Sequence, residues 1–312
     1  MADQATILIT GAAGFTGQHA CRWFAAQGYR VFASVRSEAG LPGGSGVSYY
    51  PCDLTDKRQV REMIYKLRPE YVLHLGGKNS VPASWDHPLL YVESNLMTTL
   101  HVLDGLHAAG LEHTRVLVAG SRLKFGLGNQ GAATHPYGLS KALQEAAALA
   151  WGELFGLHVM VAEPGNLIGT GPSTGVCSLL ARYIAGIERG EELPPFKLTK
   201  GDERRDFLDV RDAVNAYEIL LTQGIPGKIY PVCSGQEHSL SELAEVYAKL
   251  TPATLDLRVS QPALKSPVSA SGSASTVVPQ SLWDMGWEAA YSWEQSLTDI
   301  LNDCREEGRA RS

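Results

Sequence analysis

Short apolar runs rich in β-branched residues recur along the first half of the chain, and longer stretches of helical spacing separate them. The runs predict strands at residues 6–10, 31–35, 72–75, 116–119 and 159–162. The intervening stretches predict helices that include residues 16–27, 57–67 and 88–108. Strands that alternate with helices form right-handed crossovers and a parallel sheet covered on both faces. The predicted fold is therefore α/β, a doubly wound parallel sheet of the Rossmann type.

The regular alternation loosens beyond Gly165. Helical spacing returns at residues 177–189 and 210–221, and one more strand is predicted at 228–233. The predicted domains are a dinucleotide-binding Rossmann domain over 1–165, to which 207–235 return, and a smaller substrate-binding lobe made of 166–206 and 236–312. Residues 266–278 are rich in serine, alanine and glycine, which predicts a loop with little to bury.

Composition excludes several classes of protein. A net charge of −6 gives no electrostatic reason to expect nucleic acid or an anionic membrane as partner. The five cysteines are widely spaced and contain no CxxC pair, which argues against disulfides and a thiolate zinc site and favours a reducing, cytoplasmic location. The nine histidines include no HExxH motif, so no metal site is predicted. No basic leader and no run of apolar residues long enough for a membrane span is present.

A glycine-rich turn follows the first predicted strand and opens a helix, with glycines at positions 11, 14 and 17. Gly11 permits a tight turn, Gly14 lets backbone N–H groups approach a pyrophosphate, and Gly17 allows the helix to pack closely on the strand. Phe15 and Thr16 begin that helix, whose positive end faces the anion. The alternative is a flexible turn that binds nothing, and the strand before it and the helix after it favour a dinucleotide site.

Side chains after the second and third strands indicate which dinucleotide binds. Arg36 stands where many NAD-binding proteins present an acidic residue to the ribose, and a guanidinium there pairs with a 2′-phosphate. The sequence thus favours NADP(H), with NAD(H) as the alternative because Glu38 lies near enough to take the ribose role. Asp53 and Leu54 are candidate contacts to the adenine, although Asp53 also fits a plain turn aspartate.

A YxxxK pattern places Tyr137 and Lys141 on one face of a predicted helix. Ser121 directly follows the strand at 116–119, at the carboxyl edge where open α/β sheets bind their ligands. In the predicted mechanism Ser121 polarises the substrate C–O group, Tyr137 passes the proton, and Lys141 holds the ribose hydroxyls. We expect Lys141 and the oxidised nicotinamide to lower the pKa of Tyr137.

These motifs resemble the extended short-chain dehydrogenase/reductase family, also called the NAD-dependent epimerase/dehydratase family, over almost the whole chain. Within the family the chain is most similar to GDP-4-keto-6-deoxymannose reductases. The matching segments are residues 10–17, 69–75, 95 with 100–103, 121–126, 137–141, 164–171, 205–217 and 232–235. The resemblance implies further cofactor contacts at Leu75, Gly76, Gly77, Asn95 and Pro164. It implies substrate contacts at Lys78, Ser121, Arg122, Asn166 and Arg205, with Arg205 pairing with a diphosphate.

Some positions depart from the family pattern. Arg122 and Leu123 stand where dehydratases carry their second acid/base pair, so the sequence argues against dehydration. Glu163 replaces an arginine that precedes the proline in many members, and Ser266 to Ser269 replace an Arg-Pro-x-Glu that helps to grip the diphosphate.

The function expected from this resemblance is reduction of a 4-keto-6-deoxy sugar nucleotide. A nucleotide-sugar 4-epimerase, a reductase of another carbonyl substrate and a non-catalytic dinucleotide-binding protein remain alternatives. Because the helices around 88–108 and 137–154 carry apolar residues on more than one face, a homodimer is also expected.

Overall fold

The structure is a computed structural model that describes residues 4–37, 46–124, 134–199, 201–260 and 278–311. Glu38 and residues 266–277, which carry two of the sequence predictions, lie outside this part of the chain.

Strands and helices alternate through the first half and become shorter in the second. The strands are β1 (Thr6–Thr10), β2 (Arg30–Val35), β3 (Val47–Pro51), β4 (Tyr71–His74), β5 (Arg115–Ala119), β6 (His158–Pro164), β7 (Asn166–Ile168), β8 (Phe196–Thr199), β9 (Arg204–Asp209), β10 (Ile229–Val232), β11 (Glu237–Ser239) and β12 (Leu257–Ser260). The helices are α1 (Phe15–Ala26), α2 (Lys57–Leu67), α3 (Val81–Asp86), α4 (Pro88–Val92), α5 (Thr98–Ala108), α6 (Pro136–Phe155), α7 (Val176–Glu188), α8 (Val210–Gln223), α9 (Leu240–Leu250), α10 (Gln280–Asp284) and α11 (Trp293–Arg311).

A seven-stranded sheet forms the centre of the first half, in the order β10-β6-β5-β4-β1-β2-β3. Every neighbouring pair in it is parallel. The strand order reverses between β1 and β4, and ligands of open α/β sheets bind outside the carboxyl ends of the strands at such a reversal. The predicted doubly wound fold is confirmed.

The central strands are buried on both faces, which explains their continuous apolar sequences. Ile7, Leu8 and Ile9 of β1 are fully buried, and a core cluster joins Leu8 to residues of β4, β5, β6, α2 and α5. Asp56 begins α2, where its side chain accepts hydrogen bonds from Arg58 N at 2.9 Å and Gln59 N at 3.3 Å. This cap and the strong helical period explain why the predicted limits of α2 agree with the structure.

The predicted continuous helix over 88–108 is wrong in its interior, because a π-helical turn at Glu93–Met97 separates α4 from α5. The wider turn carries Asn95, whose buried amide bonds to the backbone of Lys78 and to Ser140. π turns often occur at functional sites, and here the π turn carries a side chain that bonds to residues outside its own helix. The apolar period continues across this turn, so the sequence pattern does not reveal it.

The chain divides into two compact units. The first comprises Met1–Pro164, Val214–Val232 and Ser281–Trp287, and the second comprises Gly165–Ala213, Cys233–Gln280 and Glu288–Ser312. The second unit contains the sheets β11-β9-β7 and β12-β8. Its own core joins residues of α7, α9 and α11. A substrate-binding role for this unit stays a prediction.

The described helices include none that is long and apolar enough to cross a membrane. Within the same residues, no group of three or more His, Cys, Asp or Glu side chains is arranged to hold a metal. All five cysteines are buried free thiols.

Candidate active site

The glycine turn between β1 and α1 leaves no room for a side chain at Gly11 or Gly17. Gly11 has φ +67°, and a Cβ there would stand 2.8 Å from the carbonyl of Leu75. A Cβ on Gly17 would stand 2.3 Å from Gly11 O, and one on Gly14 would stand 3.2 Å from the same oxygen. Gly14 N donates to Gly11 O at 3.0 Å and closes the turn.

This turn fits the pyrophosphate of a dinucleotide. Gly14 is the N-cap of α1, and no side chain caps the helix there. The N–H groups of the first helical turn, at Phe15, Thr16 and Gly17, therefore remain for an anion. These backbone N–H groups would hold the pyrophosphate of the cofactor.

The residues predicted to contact the adenosine differ in whether they bond to or pack against other residues of the protein. Arg36 is exposed just after β2 and forms no ion pair with another residue in the described part of the chain. Asp53 Oδ1 accepts from Thr55 N at 3.0 Å and from Thr55 Oγ1 at 2.8 Å. Asp53 thus serves a local turn, which is the plainer of its two predicted roles. Leu54 is half-buried and lies against Gly76, where a Cβ would stand 2.5 Å from Leu54 Cδ1.

The candidate catalytic hydroxyls meet at the carboxyl end of β5. Ser121 and Tyr137 are both buried, and the Ser121 hydroxyl lies near enough to the phenol to influence the pKa of Tyr137. Ser121 Oγ also accepts from Leu123 N at 3.1 Å. Tyr137 lies in the first turn of α6, against the ring of His135 and the edge of Tyr91. The pair predicted from sequence order is therefore brought into contact.

The predicted lowering of the Tyr137 pKa depends on Lys141 together with an oxidised nicotinamide, and it stays a prediction. Burial raises the pKa of Tyr137 above its ordinary value, while the hydrogen bond with Ser121 opposes this rise and the neighbouring Tyr91 adds to it. The Lys141 ammonium is bonded elsewhere, to Ala119 O and to Gln144 Oε1, each at 2.8 Å. The phenol is consequently protonated at neutral pH.

Lys141 is buried one helical turn after Tyr137, and burial lowers its pKa to about 8. Its two acceptors are a main-chain carbonyl and a side-chain amide, neither of which carries a charge. The ammonium remains the charged form at neutral pH because these hydrogen bonds offset part of the loss of solvent.

The turn after β4 is held by Asn95. Asn95 Oδ1 accepts from Lys78 N at 2.7 Å, and its amide nitrogen donates to Lys78 O at 3.1 Å. Gly77 has φ +157°, and a Cβ there would stand 2.5 Å from Asn95 Oδ1. The predicted cofactor contacts Leu75, Gly76 and Gly77 thus form one segment whose shape depends on Asn95.

Lys124 provides a positive charge beside Glu163, which stands where many family members carry an arginine. Its ammonium lies between the carboxylates of Glu145 and Glu163, and all three are largely buried in the first unit. Burial and the charge of Glu163 raise the pKa of Glu145, which Lys124 opposes. A lysine on the loop after β5 therefore supplies a cation beside the glutamate that stands in the usual arginine position. Pro164 follows Glu163 at the end of β6.

The remaining predicted substrate contacts are Arg122, which is half-buried beside Ser121, and two residues of the second unit. In that unit Asn166 Nδ2 donates to Asp206 O at 3.2 Å. The Arg205 guanidinium is bonded to Glu203 Oε1 at 3.0 and 3.2 Å. A role for either residue in substrate binding stays a prediction.

Comparison with known proteins agrees with this geometry. The family model of the NAD dependent epimerase/dehydratase family matches residues 7–233. The chain belongs to that family. The GDP-6-deoxy-D-mannose reductase of Pseudomonas aeruginosa is 30% identical over 95% of this chain and 96% of its own. The dTDP-4-dehydro-6-deoxy-D-allose reductase of Streptomyces bikiniensis is 29% identical over 77% of this chain and 79% of its own.

Solved structures extend the comparison. The structure of RMD from Pseudomonas aeruginosa complexed with NADPH has a TM-score of 0.79 and 29% identity, and it covers 97% of this chain and 100% of that one. The epimerase/dehydratase resemblance inferred from the motifs is confirmed. Like the rest of its family, the chain is an NAD(P)-dependent enzyme. That the glycine turn after β1 holds the nucleotide stays a prediction.

Sequence reasoning missed the polar side chains that surround the candidate catalytic group. His74, Thr99, Ser140 and Gln144 are all buried and bonded to one another or to predicted site residues. A signal was available for Gln144, since it lies three residues after Lys141 on the same helix face.

Proposed function

We propose that this enzyme uses NADPH to reduce the 4-keto group of a 4-keto-6-deoxy sugar nucleotide. The observation that carries the proposal is the contact between Ser121 and a protonated, buried Tyr137, with the Lys141 ammonium one turn away. Two relatives named above are reductases of deoxy sugar nucleotides, and one structural neighbour binds NADPH.

Residues of this chain supply the hydrogen bond and the proton that the reduction requires. Ser121 donates a hydrogen bond to the substrate carbonyl oxygen, and Tyr137 gives that oxygen its proton as the carbonyl becomes an alcohol. A bound nicotinamide supplies the hydride. The Tyr137 phenol carries its proton at neutral pH and can therefore give it to this oxygen.

NADPH is preferred to NADH in this proposal because Arg36 is exposed at the end of β2 and free of ion pairs with other described residues. Its guanidinium can pair with the 2′-phosphate. The reaction proceeds without dehydration, since Arg122 and Leu123 follow Ser121 and supply no second carboxylic acid.

The assay follows NADPH absorbance with a 4-keto-6-deoxy sugar nucleotide, and in parallel analyses the products formed from unmodified sugar nucleotides. We expect stoichiometric oxidation of NADPH in the first case and no 4-keto-6-deoxy product in the second. Interconversion of 4-epimers without net NADPH consumption identifies a 4-epimerase instead. Turnover of unmodified sugar nucleotides to 4-keto-6-deoxy products contradicts the proposal.

A homodimer and a cytoplasmic location complete the proposal. Large apolar side chains are exposed on α4 and α6, including Leu89 and Leu154, and a second copy would cover them. The buried free thiols suit a reducing compartment.

A further inference from the structure

A chain of buried hydrogen bonds links the catalytic lysine to the nucleotide turn. Lys141 Nζ donates to Gln144 Oε1, and Gln144 Nε2 donates to Thr99 Oγ1, both at 2.8 Å. Thr99 Oγ1 lies 2.9 Å from His74 Nε2, and His74 Nδ1 lies 2.8 Å from Thr10 Oγ1. Thr10 directly precedes Gly11, and all five side chains of this relay are buried.

Only one arrangement of protons satisfies every member of the relay. Gly76 N donates to Thr10 Oγ1 at 3.1 Å, so the Thr10 hydroxyl can give its own proton to His74 Nδ1. The Thr99 hydroxyl donates to Asn95 O at 2.7 Å and therefore accepts from His74 Nε2. His74 is then neutral with its proton on Nε2, an assignment that follows from the hydrogen-bond partners. Burial and the nearby Lys141 charge lower the His74 pKa to about 3, which agrees with a neutral ring.

The relay fixes which end of the Gln144 amide faces Lys141. A Thr99 oxygen whose proton is committed to Asn95 O can only accept, so it takes the NH₂ end of the amide. The carbonyl end is left for the ammonium. An amide turned the other way would set two donors against each other at Lys141 and lose a bond at Thr99.

We infer that Gln144 is a positioning residue of the reaction: the Thr99–His74–Thr10 relay orients its amide, and the amide holds the Lys141 side chain in place as the ammonium. The part of this inference that concerns the reaction rests on the proposed function.

Other titratable side chains near Lys141 are Tyr137 on its own helix and His74 on β4, while Glu145 of α6 is paired with Lys124. From β5 it faces the carbonyl of Ala119, and it is linked to Thr99 of α5 through Gln144.

The test titrates Lys141 itself in the full-length protein. The nitrogen-15 shift of Lys141 Nζ, assigned by its loss in Lys141→Met, is followed from about pH 6 to 10, a range that brackets ordinary and lowered lysine pKa values. Gln144→Leu removes the acceptor, Gln144→Glu replaces it with a charge, and Thr99→Val removes only the orienting hydroxyl. Thr98→Val is the matched control, since the Thr98 hydroxyl is buried on the same helix and donates only to Ser94 O.

We expect Gln144→Leu to lower the titration midpoint by about one unit or more, because a hydrogen bond to a charged group contributes about 1.5–3 kcal/mol. Thr99→Val should shift it in the same direction by less, and Thr99→Ser should restore it. Gln144→Glu should raise the midpoint, since an opposite charge favours the ammonium. Thr98→Val should leave it at the wild-type value.

Equal midpoints in Thr99→Val and Thr98→Val, or shifts of the same sign in Gln144→Leu and Gln144→Glu, would overturn the inference. If Gln144→Leu does not fold, as judged by its thermal unfolding, the Thr99 and Thr98 comparison decides. The titration needs no substrate, so failure of every nucleotide sugar to react would contradict the proposed function alone. With a substrate in hand, the alkaline limb of the kcat profile should move to lower pH in Thr99→Val, whereas a purely structural role would lower kcat at every pH.

Discussion

Burial decides the protonation of Tyr137 and Lys141, the two titratable side chains of the proposed catalytic group. It raises the pKa of Tyr137 and lowers that of Lys141 to about 8, so at neutral pH the first is a neutral phenol and the second a cation. A phenol that keeps its proton is prepared to donate it, and the nearby ammonium can stabilise the phenolate that remains. At neutral pH the two side chains therefore form a proton donor with a cation one helical turn away.

Removal of the phenol hydroxyl should separate catalysis from binding. Tyr137→Phe should lower kcat by at least about 10²-fold, the usual contribution of positioned acid–base catalysis. The NADPH dissociation constant should stay largely unchanged. Ser121→Ala should cost less, because it removes a hydrogen bond and leaves the proton donor. Full activity in Tyr137→Phe would show that another group supplies the proton.

Arg36 should control the choice between the two dinucleotides. Arg36→Ala should raise the NADPH dissociation constant about 10-fold or more, since a charge-assisted hydrogen bond contributes about 1.5–3 kcal/mol. The NADH constant should change little. Arg22→Ala is the control, because Arg22 is an exposed arginine of α1. A wild-type preference for NADH, or unchanged NADPH binding in Arg36→Ala, would refute the assignment.

Strands and helices that have an apolar period or a capping residue in their own sequence were predictable. Strands that form only because they pair with residues far along the chain were not. The limits of β1 and α2 agree with the prediction, since β1 is a continuous apolar run and α2 has a helical period and an aspartate cap. The three-residue strands β7 and β11 exist because each pairs with β9, and so short a run carries no period of its own. Likewise Ser121 and Tyr137 were predictable from strand and helix positions, whereas the bonds of Gln144 and Thr99 require the packed helices.

The N-terminus of α6 provides an element-level prediction, because His135 caps the helix that carries Tyr137. His135 Nδ1 accepts from Gly138 N at 2.8 Å, which requires an unprotonated ring nitrogen. Burial lowers the His135 pKa below its ordinary value of 6.5. The cap therefore contributes stability that is present above about pH 6.5 and is lost as the pH falls through the lowered pKa.

Urea unfolding at about pH 8 and pH 5, on either side of the ordinary histidine pKa, checks this dependence. His135→Ala should lower the free energy of unfolding by about 0.5–2 kcal/mol at the higher pH. His135→Asn keeps a capping oxygen that does not titrate, so the stability of wild type relative to His135→Asn should decline on acidification. A constant difference between these two proteins would mean that the cap does not depend on the protonation of His135.

At the scale of the whole molecule, the exposed apolar side chains predict a contact with another protein chain. Trp85 is 62% exposed on α3, Leu89 67% on α4 and Leu154 73% on α6. Both α3 and α4 pack against α6, so these side chains belong to one group of adjoining helices. Single exposed apolar residues are ordinary on a protein surface, but several large ones on adjoining helices mark an interaction site. The proposed symmetric dimer would bring the same helices of two copies together and cover each group with its counterpart.

Light scattering at micromolar concentration should give the mass of two chains for the wild-type protein. Leu89→Glu combined with Leu154→Glu should reduce this to the mass of one chain, because two added carboxylates would be buried without partners at the dimer contact. Ile225→Glu is the matched control, since Ile225 is also exposed (58%) but follows α8 and belongs to none of these helices. It should remain dimeric. A wild-type mass of one chain, or a double variant that remains dimeric, would place the partner surface elsewhere or exclude it.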